Sequence, residues 1–152
     1  MQSTKQALFM LGEEEYGLDI MDVNTIEKVI TVEPVTKLSD LIKGVINIRG
    51  DIIPLYSLRR KFGLEDIDFD ADTRYIITTS NGIKMAYEVD KVTEITMIEE
   101  NQISEVPVIL KAEDTSYVKA VANIGGRLVI VLNNDGILTE EEQNKIKAVI
   151  KK

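Results

Sequence analysis

The chain contains no cysteine, no histidine and no tryptophan. Without cysteine there are no disulfides and no thiolate chemistry, an absence compatible with the cytoplasm. Without histidine the commonest general base and the commonest transition-metal ligand are missing. No familiar nucleophile–base arrangement can then be drawn around Ser57, Thr78, Thr79 or Ser80. The phosphate-cradling patterns GxxxxGK[ST] and GxGxxG between strand and helix are also absent. No run approaches the roughly 18 apolar residues of a membrane span. The opening stretch MQSTKQALFMLGEEE lacks the charged and apolar regions of a secretory signal. Aromatic residues are only 5% of the chain, too sparse for the stacking platforms of single-strand binders. Composition points away from an enzyme, a membrane-inserted protein and a nucleic-acid binder, and it calls for no cofactor and no metal.

What is present suits a soluble interaction module. The 152 residues fit one domain or two small lobes sharing a core, and 44% are hydrophobic. Acidic residues number 26 against 18 basic ones, a net charge of −8, which repels a phosphate backbone on average. Arg59-Arg60-Lys61 is the one candidate for a local basic patch.

Turn chemistry then organises the chain. Val45–Ile48 and Ile52–Tyr56 flank Gly50-Asp51, which reads as a type II′ hairpin loop with Gly at its first central position. Asn81-Gly82 separates Arg74–Thr79 from Ile83–Val89 as a type I′ turn. Gly125-Gly126 separates Val118–Ile124 from Leu128–Leu132, and Gly12–Glu15 links Leu8–Leu11 to Tyr16–Ile20 through a slightly longer loop. Further strands are expected over Thr25–Val32 and Lys91–Ile98, with a short helical turn at Ser39–Lys43. Many short strands joined by turns indicate barrels or sandwiches.

The acidic segment Glu65–Asp72 divides the hairpins into two groups. Asp66, Asp68, Asp70 and Asp72 recur at a spacing of two, which sets like charges on one face of a regular strand and so favours a solvated connector. The segment begins like a calcium loop, but the glycine and glutamate that such a loop needs at its sixth and twelfth positions are Ala71 and Ile77. Near the end, Thr139 and Glu142 form a capping box, with glutamates in the first helical turn and lysines in the last. Ile146, Val149 and Ile150 make one narrow apolar stripe, either to cap a barrel or to dock a partner.

The order Lys43-Gly44-Val45-Ile46-Asn47-Ile48-Arg49-Gly50, then Ile53-Pro54, Leu58-Arg59 and Phe62-Gly63, resembles the CheW family. So do Phe9-x-Leu11-Gly12-x-Glu14-x-Tyr16-Gly17-x-Asp19-Ile20, Val89-Asp90-x-Val92, Tyr117-Val118 and Gly126-Arg127-Leu128-Val129-Ile130. The resemblance runs from Leu8 to Leu138. It implies an all-β fold with a C-terminal helix, in which two SH3-like five-stranded β-barrel lobes pack around a shared hydrophobic core. Approximate lobes are 13–70 and 71–138, with strand 6–12 shared with the second lobe and the helix over 139–151.

The resemblance also implies a function. Members are cytoplasmic adaptors, recruited to membrane receptor arrays, that couple methyl-accepting chemoreceptors to a CheA-type histidine kinase. The expected partners are the kinase's regulatory domain and the cytoplasmic receptor tip. Matched residue by residue, Ile20, Val23, Ile26 and Val92 line a receptor groove between the lobes, although each is also a natural core residue. Arg49, beside hairpin Gly50, either braces the neighbouring connection or presents its donor fork to a partner. Thr25, where the family often has glutamate, departs from the pattern, as do Ser57, Tyr87, Glu88 and Ala120. The rival readings are a small acidic β-barrel that binds nucleic acid or a small-molecule ligand.

Overall fold

The computed structural model describes residues 3–35, 39–104 and 117–150, with the side chains at 149 and 150 excepted. Eleven strands among them form two sheets. Five are β1 (Thr4–Leu11), β2 (Glu14–Asp19), β3 (Val23–Lys28), β4 (Ile42–Ile48) and β5 (Asp51–Ser57). The rest are β6 (Arg74–Ser80), β7 (Ile83–Val89), β8 (Lys91–Ile98), the two-residue β9 (Ile103–Ser104), β10 (Val118–Ile124) and β11 (Arg127–Leu132). One-turn helices α1 (Leu58–Lys61) and α2 (Asn134–Ile137) follow β5 and β11, and α3 (Glu140–Ile150) ends the described chain.

One sheet runs β8-β1-β2-β11-β10-β9 and the other β3-β6-β7-β5-β4. This division differs from lobes at 13–70 and 71–138. The β1–β2 hairpin lies with the C-terminal strands, and β6–β7 lies between β3 and β5. The parallel pairs β2–β11 and β5–β7 stitch these distant segments together. The chain itself links the edges of each sheet. In the first, the chain passes from edge β8 to edge β9 through a 3₁₀ turn at Glu100–Gln102. In the second, Glu33 and Val45 exchange backbone hydrogen bonds of 2.9 and 2.8 Å, joining the chain beyond β3 to edge strand β4.

Alternation along the strands sorts side chains into three cores. Ile46, Ile53, Leu55 and Ile77 fill one barrel. Leu8, Ala120, Ala122, Val129 and Val131 fill the other. Phe9, Leu11, Tyr16 and Leu18 from the first sheet meet Tyr56, Ile76, Met85 and Tyr87 from the second in a core between the lobes. Phe62, just past α1, stacks between Tyr16 and Tyr117 at centroid distances of 5.1 and 4.9 Å. Ile146 of α3 is buried in the same core, so this helix caps the lobes. Its capping box is present, with Glu142 N–H donating to Thr139 Oγ1 at 3.1 Å and Thr139 N–H to Glu142 Oε1 at 2.9 Å. The other stripe residues, Val149 and Ile150, lie outside the described side chains.

The two lobes repeat one pattern. Val45-x-Asn47-Ile48-x-Gly50 in β4–β5 corresponds to Val121-x-Asn123-Ile124-x-Gly126 in β10–β11. In each, the asparagine Oδ1 accepts the N–H of the glycine, at 2.9 and 3.0 Å. A one-turn helix follows both hairpins. The chain runs as a β1–β2 hairpin followed by β3–β5, then a β6–β7 hairpin followed by β8–β11, and each leading hairpin pairs with strands of the other group.

A polar clasp fastens the lobes. Arg59 on α1 donates to both oxygens of Asp90, at 2.8 and 2.6 Å, and Asp90 also accepts the N–H of Gly12 at 2.7 Å. Burial raises the Asp90 pKa, but the bonds from Arg59 and Gly12 and the guanidinium charge outweigh it and hold the carboxyl below its ordinary value. A depressed carboxylate stabilises the fold above its unfolded pKa, near 3.9, and loses that contribution as pH falls through the folded value. Asp90→Asn should therefore cost about 2 kcal/mol at neutral pH. Urea melts of both proteins should converge as the pH falls below the ordinary carboxylate range and through the depressed folded value. A gap that persists in acid would remove the charge from the explanation.

Three expectations shift in detail. The β1–β2 loop is only Gly12-Glu13, since Leu11 pairs with Glu14. The short helical turn expected at Ser39–Lys43 is a single turn in which Ile42 N–H donates to Ser39 O at 3.1 Å, and β4 begins at Ile42. The strand expected over Thr25–Val32 begins at Val23 and ends at Lys28.

Candidate functional site

The seam between the lobes does not stay covered along its length. On one face of the first sheet, cross-strand partners form rows: Val92–Phe9–Tyr16, then Ile95–Ala7–Leu18, then Met97–Lys5. The first row packs into the interlobe core. In the second, Ala7 and Leu18 are fully buried while Ile95 is 48% exposed. In the third, Met97 is 49% exposed. The interlobe core thus runs outward into a partly open apolar strip.

The opposite border of this strip comes from the passage between β2 and β3. Asp19 accepts the N–H of Met21 at 2.9 Å and caps a 3₁₀ turn over Ile20–Asp22. That turn holds Ile20 half-buried and leaves Met21 86% exposed. Val23 and Ile26 follow on β3, half-buried against the interlobe core, as Val92 is from β8. All four groove candidates are therefore intermediate in burial. Val23, Ile26 and Val92 meet the same core from the two sheets, and Ile20 sits on the connection between them. The end of the strip is acidic. Burial, together with the Asp19 and Asp135 charges, raises the pKa of Asp22, and Lys119 offsets this in part.

Sequence reasoning missed Met21, Ile95 and Met97. On β8 the pattern is hidden by a β-bulge: Phe9 pairs with Val92 but Leu8 with Glu94, so Thr93 is an extra residue. The exposed apolar face is then 92, 95 and 97, which no period-two reading recovers.

Arg49 lies at a different turn from the one expected. Ile48 pairs with Asp51, so the two-residue loop is Arg49-Gly50, with φ of 51° and 92°. That is a type I′ loop rather than a type II′ loop at Gly50-Asp51. The bond from Gly50 N–H to Asn47 Oδ1 holds this register. A bulky residue at positive φ is strained. Gly125 occupies the equivalent position in the other lobe, with φ of 58°. Arg49→Gly should accordingly raise stability by about 1 kcal/mol in a denaturant melt. An unchanged or lowered midpoint would show that the arginine is not strained.

The Arg49 side chain is 73% exposed, and among the described residues its ionic partner is Glu27, 3.8 Å away on β3. Among the described residues no neighbouring carbonyl accepts a hydrogen bond from it. Glu27 lies two residues beyond Thr25, and it supplies the carboxylate beside Arg49. Ser57 Oγ accepts the N–H of Arg60 at 3.1 Å and caps α1. Tyr87 is buried edge-on to Tyr56, Glu88 pairs with Lys43 at 2.8 Å, and Ala120 fills a barrel core. In the acidic connector, Asp66 takes Arg60 at 2.7 Å.

No group of three or more potential metal ligands occurs among the described residues. Nor is any described helix long and apolar enough to cross a membrane.

The model of the CheW-like domain matches residues 6–142. The chain belongs to the CheW family. The chemotaxis protein CheW of Klebsiella aerogenes is 31% identical over 144 residues, covering 95% of this chain and 87% of that protein. The CheW of Helicobacter pylori is 32% identical over 133 residues, covering 88% and 80%. Among solved structures, the scaffolding protein TtCheW of Thermoanaerobacter tengcongensis superposes with a TM-score of 0.79 at 34% identity, covering 87% of this chain and 90% of that one. The paired lobes, the turn at Arg49-Gly50 and the clasp at Asp90 all lie within the span that the CheW-like domain model matches.

Proposed function

We propose that this chain is a non-catalytic chemotaxis adaptor. It couples methyl-accepting chemoreceptors to a CheA-type histidine kinase in a ternary complex, in the cytoplasm beneath a membrane receptor array. The receptor tip docks on the strip bordered by Ile20, Val23, Ile26 and Val92, and Arg49 serves coupling rather than folding. The observation that carries this reading is the interlobe core that continues outward into exposed Ile95 and Met97. A half-open apolar strip with a polar rim has the anatomy of a protein interface. Membership of the CheW family supports this choice of partners. Coupling would be linkage: the adaptor biases the kinase only as far as it binds the receptor and kinase states differently.

Pull-downs with the kinase regulatory domain and with a soluble cytoplasmic receptor fragment test this directly. Both should be retained, separately and together. Val23→Asp should abolish receptor capture and leave capture of the kinase domain unchanged. Loss of both on a folded variant, or retention of neither by the parent protein, would overturn the reading.

A further inference from the structure

The absence of cysteine leaves methionine as the only sulfur in this chain. Its methionines are not equivalent. Met85 is fully buried in the interlobe core and Met10 is half-buried. Met21 and Met97 are 86% and 49% exposed. Both flank the apolar strip, Met21 at the apex of the turn that crosses between the lobes and Met97 on the outermost row of β8. Among the described residues, the two exposed thioethers therefore sit where the partner is expected to land. A flexible, polarisable side chain suits such a surface, and its oxidation changes that surface most.

We propose that Met21 and Met97 form a peroxide-sensitive element of the receptor groove, an inference that rests on the groove reading above. Each sulfur attacks one peroxide oxygen and the O–O bond breaks. The thioether is oxidised to a sulfoxide, and hydrogen peroxide is reduced to water. The product replaces an apolar tip with a strong acceptor that an apolar partner face cannot satisfy. Docking weakens while the fold is unaffected, because neither side chain belongs to a buried core. A dithiol-driven methionine sulfoxide reductase returns each sulfoxide to the thioether, the dithiol becoming a disulfide and the oxygen leaving as water, and so restores docking.

The test uses the full chain treated with hydrogen peroxide and a soluble cytoplasmic chemoreceptor fragment as the binding probe. Peptide mass spectrometry should place the added oxygen on Met21 and Met97 before Met85, with the circular dichroism melt unchanged. Affinity for the receptor fragment should fall about tenfold, and retention of the kinase regulatory domain should be unaffected. Whatever the starting affinity of the double variant Met21→Leu, Met97→Leu, peroxide treatment should leave it at its own untreated value. Oxidised parent protein that binds as tightly as untreated protein overturns the proposal, as does a loss of affinity that the double variant shares. Failure of the untreated protein to bind the fragment would instead reject the groove reading.

Discussion

Arg49→Glu should yield a folded protein that no longer couples receptor to kinase. The side chain is 73% exposed and its ion pair with Glu27 spans 3.8 Å, so removing it should change stability by no more than about 0.5 kcal/mol. The turn stays in place, because the Gly50–Asn47 bond and the β4–β5 ladder hold it. Function is another matter. Replacing a planar donor fork with a carboxylate in a desolvated partner contact costs on the order of 2–5 kcal/mol, enough to abolish a micromolar association. Arg49→Gly relieves the positive φ and also removes the fork, so it should be more stable than the parent and equally uncoupled. Measuring the melt and receptor-stimulated kinase activation on the same preparations separates fold from function. Full activation by Arg49→Glu at native stability would make Arg49 an ordinary solvated residue.

The case for Arg49 was only partly legible in the sequence. Its motif was plain, but its conformation was not, since propensity places glycine or asparagine at a left-handed turn position. A bulky residue there breaks a local rule, and such breaks concentrate at functional sites. The strands themselves were easy: β7, β8 and β10 fall where period and turn signals put them. Their grouping was not, because the parallel pairs β2–β11 and β5–β7 join segments far apart in the chain and leave no local trace. One available signal went unused. The repeat of Val-x-Asn-Ile-x-Gly at Val45 and Val121 announces two equivalent units, and with them the exchange of hairpins between sheets. The groove fared like the turn. Ile20, Val23, Ile26 and Val92 were in view, whereas Ile95 and Met97 were concealed by a bulge that only the register with β1 reveals.

The glycine at the head of that repeat carries the largest expected effect on stability. Gly44 has a φ of 155°, and a Cβ placed there would lie 2.3 Å from the carbonyl oxygen of Glu33 and 2.8 Å from Val32 Cγ1. Glu33 is the residue whose two backbone bonds to Val45 close the barrel. The obstacle is main chain, so no rotamer change relieves it. Alanine must part the bridge or tilt β4, which exposes Ile46 and Ile48 of the barrel core. Gly44→Ala should therefore cost about 3 kcal/mol or more, a fall in Tm of about 10 °C for a domain of this size. Gly17→Ala is the matched comparison. Its Cβ would meet only side chains, Leu8 Cδ2 at 3.1 Å and Gln6 Oε1 at 3.2 Å, and these can give way. The order of the two losses is the prediction, read from thermal and urea melts of both variants. Coupling should fall with stability in Gly44→Ala, since the closed barrel holds the Arg49 turn beside β3. In Arg49→Glu the two should part. A Gly44→Ala protein as stable as Gly17→Ala would mean that the Glu33–Val45 bridge does not close this barrel in solution.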